Sequence, residues 1–90
     1  MKNIKRITQI FKIFSNINRV KIVHLLSKEK MMNVTDLAEA LEISFTSTSK
    51  HLIILERFDV VSSTGKLGHV FYSLNEDIPN DVREVMNLFT

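Results

Sequence analysis

The sequence predicts a mainly α-helical domain that carries one small β-hairpin. Apolar residues recur at helical spacing through most of the first 57 positions, and the period changes only from Val60 onward. Two glycines and one proline in 90 residues leave few breaks between regular elements. A chain of this length fits one domain with a single core, so residues 1–90 are treated as one unit.

Two helices are predicted at the start of the chain. The first, near residues 3–15, is indicated by apolar residues at helical spacing, namely Ile4, Ile7, Phe11 and Phe14. Ser15 and Asn16 then supply an N-cap for a second helix near 17–28, because a side-chain oxygen there accepts a backbone N–H of the first turn. The apolar face of this second helix consists of Val20, Val23 and Leu26, flanked by Ile22 and Leu25.

The next two helices are predicted to lie close together in the chain. Thr35 is the expected N-cap of a short third helix with the apolar residues Leu37, Ala38 and Leu41. Ser44 is the expected N-cap of a fourth helix near 45–57, whose inward stripe would be Thr48, Leu52 and Leu55. Two helices joined by a turn of about three residues form a helix-turn-helix, and the tight joint fixes the direction in which the second helix projects.

A hairpin and a last helix complete the predicted order. Val60 and Val61 begin a strand, residues 62–68 form a glycine-containing turn, and residues 69–74 form the return strand. The last helix, at about 78–89, has Pro79 in its first turn. The order α-α-α-α-β-β-α is that of a winged helix-turn-helix with an extra helix at each end, and it leaves room for a very short strand near Val34.

Four segments resemble the ArsR/SmtB-type winged-helix repressors. FKIFSNINRVKI at 11–22 resembles the family signature ALSDPTRLRIL, and VTDLAEAL at 34–41 looks like the supporting helix. ISFTSTSKHL at 43–52 is similar to the family's LSQSTVSHHL, and HVFYSL at 69–74 resembles its second wing strand. The resemblance covers roughly residues 10–75 in the right order. It implies a homodimeric repressor that binds double-stranded DNA, with the fourth helix in the major groove and the 62–69 wing on the flanking backbone.

The resemblance also implies that the first and last helices form the dimer. The residues agree, because the terminal helices carry more apolar surface than one small core can cover. The expected interface residues are Ile4, Ile7, Phe11, Phe14, Ile78, Val82, Val85, Met86 and Phe89.

Candidate DNA contacts lie at the start of the fourth helix and in the wing. Short hydroxyl side chains let a helix backbone come close to base edges and phosphates, and a lysine adds charge. Phe45 has two interpretations, contact with a thymine methyl or packing on the supporting helix, and packing is slightly favoured. Arg19 is a further candidate for phosphate contact, whereas His51 is expected to be structural. The DNA-contact candidates are Ser44, Phe45, Thr46, Ser47, Ser49, Lys50, Lys66 and His69.

The charge distribution is compatible with this function and with a simpler alternative. Residues 1–30 hold eight Lys or Arg and one Glu, a net charge of +7. Residues 31–90 hold four Lys or Arg and nine Asp or Glu, a net charge of −5. Such asymmetry suggests a nucleic-acid or membrane surface, but a solvated helix face explains it as well. No apolar run reaches the roughly 18 residues of a membrane span, and residues 1–6 lack the apolar stretch of a signal peptide. We therefore expect a soluble, cytoplasmic protein with no membrane partner.

The sequence argues against a metal, a cofactor or catalysis. Cysteine is absent, and the Cys-Val-Cys metal motif of related proteins is replaced by Asn33-Val34-Thr35. Three histidines, at positions 24, 51 and 69, lack ligand spacing, and no phosphate loop or nucleophile motif occurs. We expect no metal site, no cofactor and no enzymatic activity, and a small-molecule effector remains open. The alternative function is a protein-protein interaction module with little DNA affinity.

Overall fold

The computed structural model describes residues 3–90 as five helices around a three-stranded sheet. The winged helix-turn-helix order predicted from the sequence is confirmed, with the short strand β1 added before the third helix. The elements are α1 (Ile4–Ile13), α2 (Ile17–Lys28), β1 (Met32–Asn33), α3 (Val34–Leu41), α4 (Phe45–Arg57), β2 (Val61–Lys66), β3 (His69–Leu74) and α5 (Asn80–Met86).

Side-chain oxygens cap four of these helices at their N-termini. Asn16 Oδ1 accepts the backbone N–H groups of Asn18 and Arg19 at 3.0 and 3.2 Å, and Ser44 Oγ accepts that of Ser47 at 3.0 Å. Both caps are as predicted. Asn3 caps α1 in the same way.

The prediction for the cap of α3 is wrong. Asn33, which ends β1 in an extended conformation, is the N-cap, and its Oδ1 accepts the Asp36 backbone N–H at 2.8 Å. Thr35 therefore lies inside the first turn of the helix.

Both terminal helices are shorter than predicted. α1 ends at Ile13, and α5 spans only Asn80–Met86 because Pro79 stands at its N-cap and the residue before a proline disfavours helical torsions. Residues 87–90 continue as hydrogen-bonded turns, in which Phe89 N–H donates to the Met86 carbonyl at 3.0 Å.

The hairpin has longer strands and a tighter turn than predicted. β2 continues through residues 62–66, which the sequence suggested would be a turn, because Ser63 and Thr64 pair with Tyr72 and Phe71 of β3. The turn is only Leu67 and Gly68, with φ angles of 53° and 77°. Two consecutive residues with positive φ match the right-handed twist of the strands. The sheet order is β1-β3-β2, and both pairs are antiparallel.

One core lies between the helices and the base of the wing. The inward stripe predicted for α4 is confirmed, since Thr48, Leu52 and Leu55 are fully buried. The Thr48 hydroxyl donates to the Ser44 carbonyl at 2.9 Å, so burial leaves it paired. The apolar core comprises Ile10, Ile13, Ile22, Val23, Leu26, Leu37, Ala38, Leu41, Leu52, Leu55, Val60, Val61, Ile78, Val82 and Met86.

The terminal helices are held together by an ion pair and an aromatic pair. Arg6 Nε and Nη2 donate to the two Asp81 carboxylate oxygens at 3.0 and 3.3 Å, which lowers the pKa of Asp81. The Phe14 and Phe89 rings meet edge to face, with centroids 5.3 Å apart. α1 is thereby fixed on α5 and on the core beneath it.

Candidate nucleic-acid interface

The turn between α3 and α4 sets the direction of α4. Glu42 takes the left-handed conformation (φ 58°), and the Ile43 N–H returns to the Ala38 carbonyl at 3.2 Å. Ser44 then caps α4, so only residues 42–44 separate the two helices. Each residue of this turn is held by a backbone or side-chain hydrogen bond, and α4 therefore projects at a fixed angle from the core.

The outer face of α4 is mostly polar and follows helical spacing. Thr46, Lys50, Ile53 and Arg57 are all exposed, at i, i+4, i+7 and i+11, directly opposite the buried stripe of the helix. The predicted residues Ser44 and Ser47 are also exposed, and Ser49 is half-buried at the edge of this face. The structure thus brings the predicted α4 candidates together at the first two turns.

Arg57 was missed by the sequence interpretation, although its spacing from Lys50 would have revealed it. It lies two turns beyond Lys50 and adds a second cation to the outer face of α4. Lys50 and Arg57 also border a shallow depression together with Ile53 and Ile54. The positive charge of this face therefore extends from the middle of the helix to its C-terminal end.

Phe45 is more exposed than the favoured packing interpretation implies. It is the first residue of α4, and 57% of its surface is accessible. One side of Phe45 borders a cleft of about 240 Å³ that opens between the start of α3 and the wing. The other lining residues of this cleft are Asn33, Val34, Thr35, Gly68, His69 and Val70.

The wing presents the two predicted cations side by side. Lys66 and His69 pair across the tip of the hairpin, and both are exposed. Between them, Leu67 is 91% exposed at the turn. At the base, the Ser63 hydroxyl donates to the Glu56 carboxylate at 2.9 Å and joins the wing to α4. The wing and α4 thus form one continuous surface.

Arg19 does not contribute to this surface, contrary to its candidacy for phosphate contact. Its Nε donates to the Ile13 carbonyl at 2.7 Å and its Nη2 to the Lys12 carbonyl at 3.1 Å, at the C-terminus of α1. Its Nη1 contacts His51 Nδ1 at 3.3 Å. Because the guanidinium can only donate, Nδ1 accepts and His51 is a neutral imidazole with its proton on Nε2. This contact gives His51 the structural position that the sequence suggested, and it links α1, α2 and α4.

The contact predicts a loss of stability in mild acid. Burial, and then the positive charge of Arg19, lower the pKa of His51 from its ordinary 6.5. The unfolded chain therefore takes up a proton more readily than the folded chain as pH falls below about 6.5. The free energy of unfolding keeps its full value above that pH and declines below it, by at most ~1.4 kcal/mol per pH unit. His51→Asn keeps an acceptor near the Nδ1 position but does not titrate. Urea unfolding between pH 7.5 and 5 should show a smaller decline for His51→Asn, and equal slopes in both proteins would contradict the prediction.

The predicted dimer residues fall into three groups of different exposure. Ile4, Ile7 and Phe11 form an exposed stripe along α1, with 54%, 40% and 57% of their surfaces accessible. Ile78, Val82 and Met86 are instead buried in the core of the single chain, so they hold α5 in place rather than offer surface to a partner. Phe14, Val85 and Phe89 are half-buried between these groups. Among these nine predicted residues, the α1 stripe and the margin beside it are the surface that is left for a second copy.

Residues 3–90 offer neither a metal-binding cluster nor a membrane-spanning helix. No three or more His, Cys, Asp or Glu side chains of this part of the chain gather in a way that could hold a metal ion. None of its helices is long and apolar enough to cross a bilayer.

Comparison with known proteins identifies the family. The family model described as bacterial regulatory protein, arsR family, matches residues 16–63, from the cap of α2 to the first half of β2. The cadmium resistance transcriptional regulatory protein CadC of Listeria innocua is 42% identical over 67 residues, which cover 72% of this chain and 56% of that protein. The chain thus spans little more than half the length of that regulator.

Two further relatives match over more of their length. The transcriptional repressor SdpR of Bacillus subtilis is 40% identical over 72 residues, covering 80% of this chain and 79% of the repressor. The structure of HlyU from Vibrio cholerae superposes with a TM-score of 0.77 at 26% identity and covers 98% of this chain and 92% of that one. The family match includes the helix-turn-helix and the base of the wing, and the structural match includes the terminal helices as well. This chain belongs to the arsR family of bacterial regulatory proteins.

Proposed function

We propose that this chain is a homodimeric, sequence-specific DNA-binding repressor of transcription that works in the cytoplasm and has no catalytic activity. The observation that carries the proposal is the outer face of α4, where Thr46, Ser47 and Lys50 stand exposed on the side of the helix opposite its buried stripe. Polar side chains of this size suit the major groove, which admits one α-helix. Membership of a family of regulators, with a repressor among its relatives, supports the same function.

The wing and the helix termini supply contacts to the DNA backbone in this proposal. His69 at the wing tip lines the same cleft as Phe45 at the start of α4, and Lys66 is its partner across the hairpin. Lys50 and Arg57 add charge along the helix. Each phosphate that a cation neutralises contributes about 0.9 to the salt dependence of binding. Three Lys or Arg side chains and one histidine per chain are a modest set, so we expect an affinity that depends on two chains acting together.

The second chain is proposed to dock on the exposed α1 stripe. Three apolar residues on one helix face are unfavourable in water, and a second copy offers an identical apolar surface in return. Two recognition helices about 34 Å apart would then read an inverted repeat with half-sites one turn apart.

Lys50→Ala is expected to weaken DNA binding without changing the fold or the dimer. Fluorescence anisotropy with a duplex from upstream of the protein's own gene, and a scrambled duplex as competitor, would measure affinity at several salt concentrations. If Lys50 contacts phosphate in both half-sites, the salt slope should fall by about 2, since each contact contributes about 0.9. Lys5→Ala, which removes an exposed cation from α1, is the matched control and should change neither quantity.

The outcomes separate the two functions considered for this chain. Preferential, salt-sensitive binding of one dimer per site, weakened in Lys50→Ala alone, supports the repressor. An equal loss of DNA affinity in Lys5→Ala would show that binding depends on general positive charge rather than on α4 docked in the groove. The absence of binding at low salt, to this duplex and to a random-sequence library, would overturn the proposal in favour of a protein-protein interaction module.

A further inference from the structure

We infer that Phe45 is a specificity-determining residue that reads the 5-methyl group of a thymine in each half-site. The inference rests on the proposed DNA binding by α4. It begins with the position of Phe45, the first residue of α4, at the end of the helix that would enter the groove most deeply. More than half of its surface is accessible, although it is one of the largest apolar side chains in the protein.

The backbone that carries Phe45 is held in place. On one side of the residue, Ser44 Oγ accepts the Ser47 N–H at 3.0 Å, and the Thr48 hydroxyl donates to the Ser44 carbonyl at 2.9 Å. Thr48 is itself fully buried. The first turn of α4 is therefore anchored in the core while the Phe45 ring stands outside it. A side chain with a fixed backbone loses little conformational freedom on binding, which favours discrimination between closely related partners.

The surroundings of Phe45 continue its apolar character toward the wing. Val34 and Val70 border the same cleft, and Val70 is half exposed as well. Polar groups frame this apolar strip, with the Thr46 and Ser47 hydroxyls on the helix and His69 on the wing. The strip thus lies within the proposed DNA surface and is continuous with its polar contacts.

Among the groups that DNA presents in the major groove, only one matches such a side chain. Every base edge there carries a hydrogen-bond donor or acceptor, and only thymine adds a methyl group, which lies beside its O4 acceptor. A phenyl ring placed against the other edges displaces water from polar base atoms. It offers them no hydrogen bond in return, which is unfavourable. Phe45 therefore favours thymine by burying its methyl group and also disfavours the other bases at that position.

Replacement of thymine by uracil tests this inference directly. Deoxyuridine has the same pairing and hydrogen-bonding edge as thymidine but lacks the methyl group. Duplexes are first selected from a random-sequence library by the unaltered protein, and each thymine is then replaced by dU at symmetry-related positions. At one such position, replacement by dU should lower the affinity of the unaltered protein about fourfold for each half-site that is changed. This is the effect expected when one buried methyl group is lost.

Two variants of the protein assign the effect to a side chain. Phe45→Ala should bind the dT and dU duplexes equally, and Phe45→Leu should keep part of the preference. Ile53→Ala is the matched control, because Ile53 is also an exposed apolar residue of α4, and it should keep the full preference. Circular dichroism of each variant checks that the helices are intact.

The results distinguish failure of the inference from failure of the proposed function. If the selected duplexes bind specifically but dU changes nothing at any position, the inference is wrong and the repressor function stands. If Phe45→Ala keeps the dT preference while Ile53→Ala loses it, the methyl group is read by Ile53 and the inference is again wrong. If no duplex is selected from the library, the DNA-binding function falls, and the inference falls with it.

Discussion

Phe11→Asp is expected to convert a dimer of this protein into monomers and to reduce its affinity for an inverted-repeat duplex by at least about 100-fold. Phe11 lies in the exposed stripe of α1 with Ile4 and Ile7, on the face turned away from the buried residues Ile10 and Ile13. A carboxylate placed there would be buried without a partner in the dimer, which is strongly unfavourable. The DNA effect follows because two linked half-site contacts gain about 10²–10⁴ over a single one.

The fold of the single chain should survive this substitution. More than half of the Phe11 surface is already in contact with water, so its side chain contributes little to the core. Sedimentation equilibrium gives the oligomeric state, thermal unfolding checks the fold, and anisotropy gives the DNA affinity. Ile17→Asp is the matched control, an equally apolar exposed residue at the start of α2, and it should remain dimeric. A Phe11→Asp protein that stays dimeric would show that α1 is not the interface.

The elements that the sequence predicted well are those with local causes. Asn16 and Ser44 cap their helices because each has a backbone N–H within three residues, and such a hydrogen bond needs no distant partner. The buried stripe of α4 follows from helical spacing alone. At the candidate site, the same spacing places Thr46 and Lys50 together on the outer face.

The errors have non-local causes. The strand β1 and the long strand β2 form because β3 lies between them and pairs with both. Without knowledge of that pairing, the sequence of residues 62–66 predicts a turn. The apolar spacing near α5 was interpreted as a dimer surface, but the same spacing serves a core helix: Ile78, Val82 and Met86 are buried by their own chain, and the dimer role of the other interface residues stays a prediction. Periodicity shows that a face is buried, not what covers it.

Arg19 illustrates the part of the structure that no sequence pattern contained. The sequence offered Arg19 as a candidate for phosphate contact, yet its guanidinium donates to the last carbonyls of α1 and contacts His51 on α4. Carbonyls at a helix C-terminus lack partners within the helix, and a cation satisfies both their hydrogen bonds and their partial negative charge. Arg19 therefore connects the helix proposed to form the dimer with the helix proposed to enter DNA.

Arg19→Ala is expected to lower the free energy of unfolding by about 3 kcal/mol, because two hydrogen bonds from a charged group are lost at once. The Ile13 carbonyl then loses its side-chain donor, whereas the Lys12 carbonyl keeps the Ser15 hydroxyl at 2.9 Å. Arg19→Lys should recover less than half of this, since one ammonium lacks the planar fork that reaches both carbonyls. Urea unfolding at one fixed protein concentration measures both values, because the stability of a dimer depends on concentration. Lys21→Ala, which removes an exposed cation of α2, is the control and should cost less than ~0.5 kcal/mol. If Arg19→Lys is as stable as the unaltered protein, charge at the end of α1 is sufficient and the two-carbonyl geometry does not hold α1 in place.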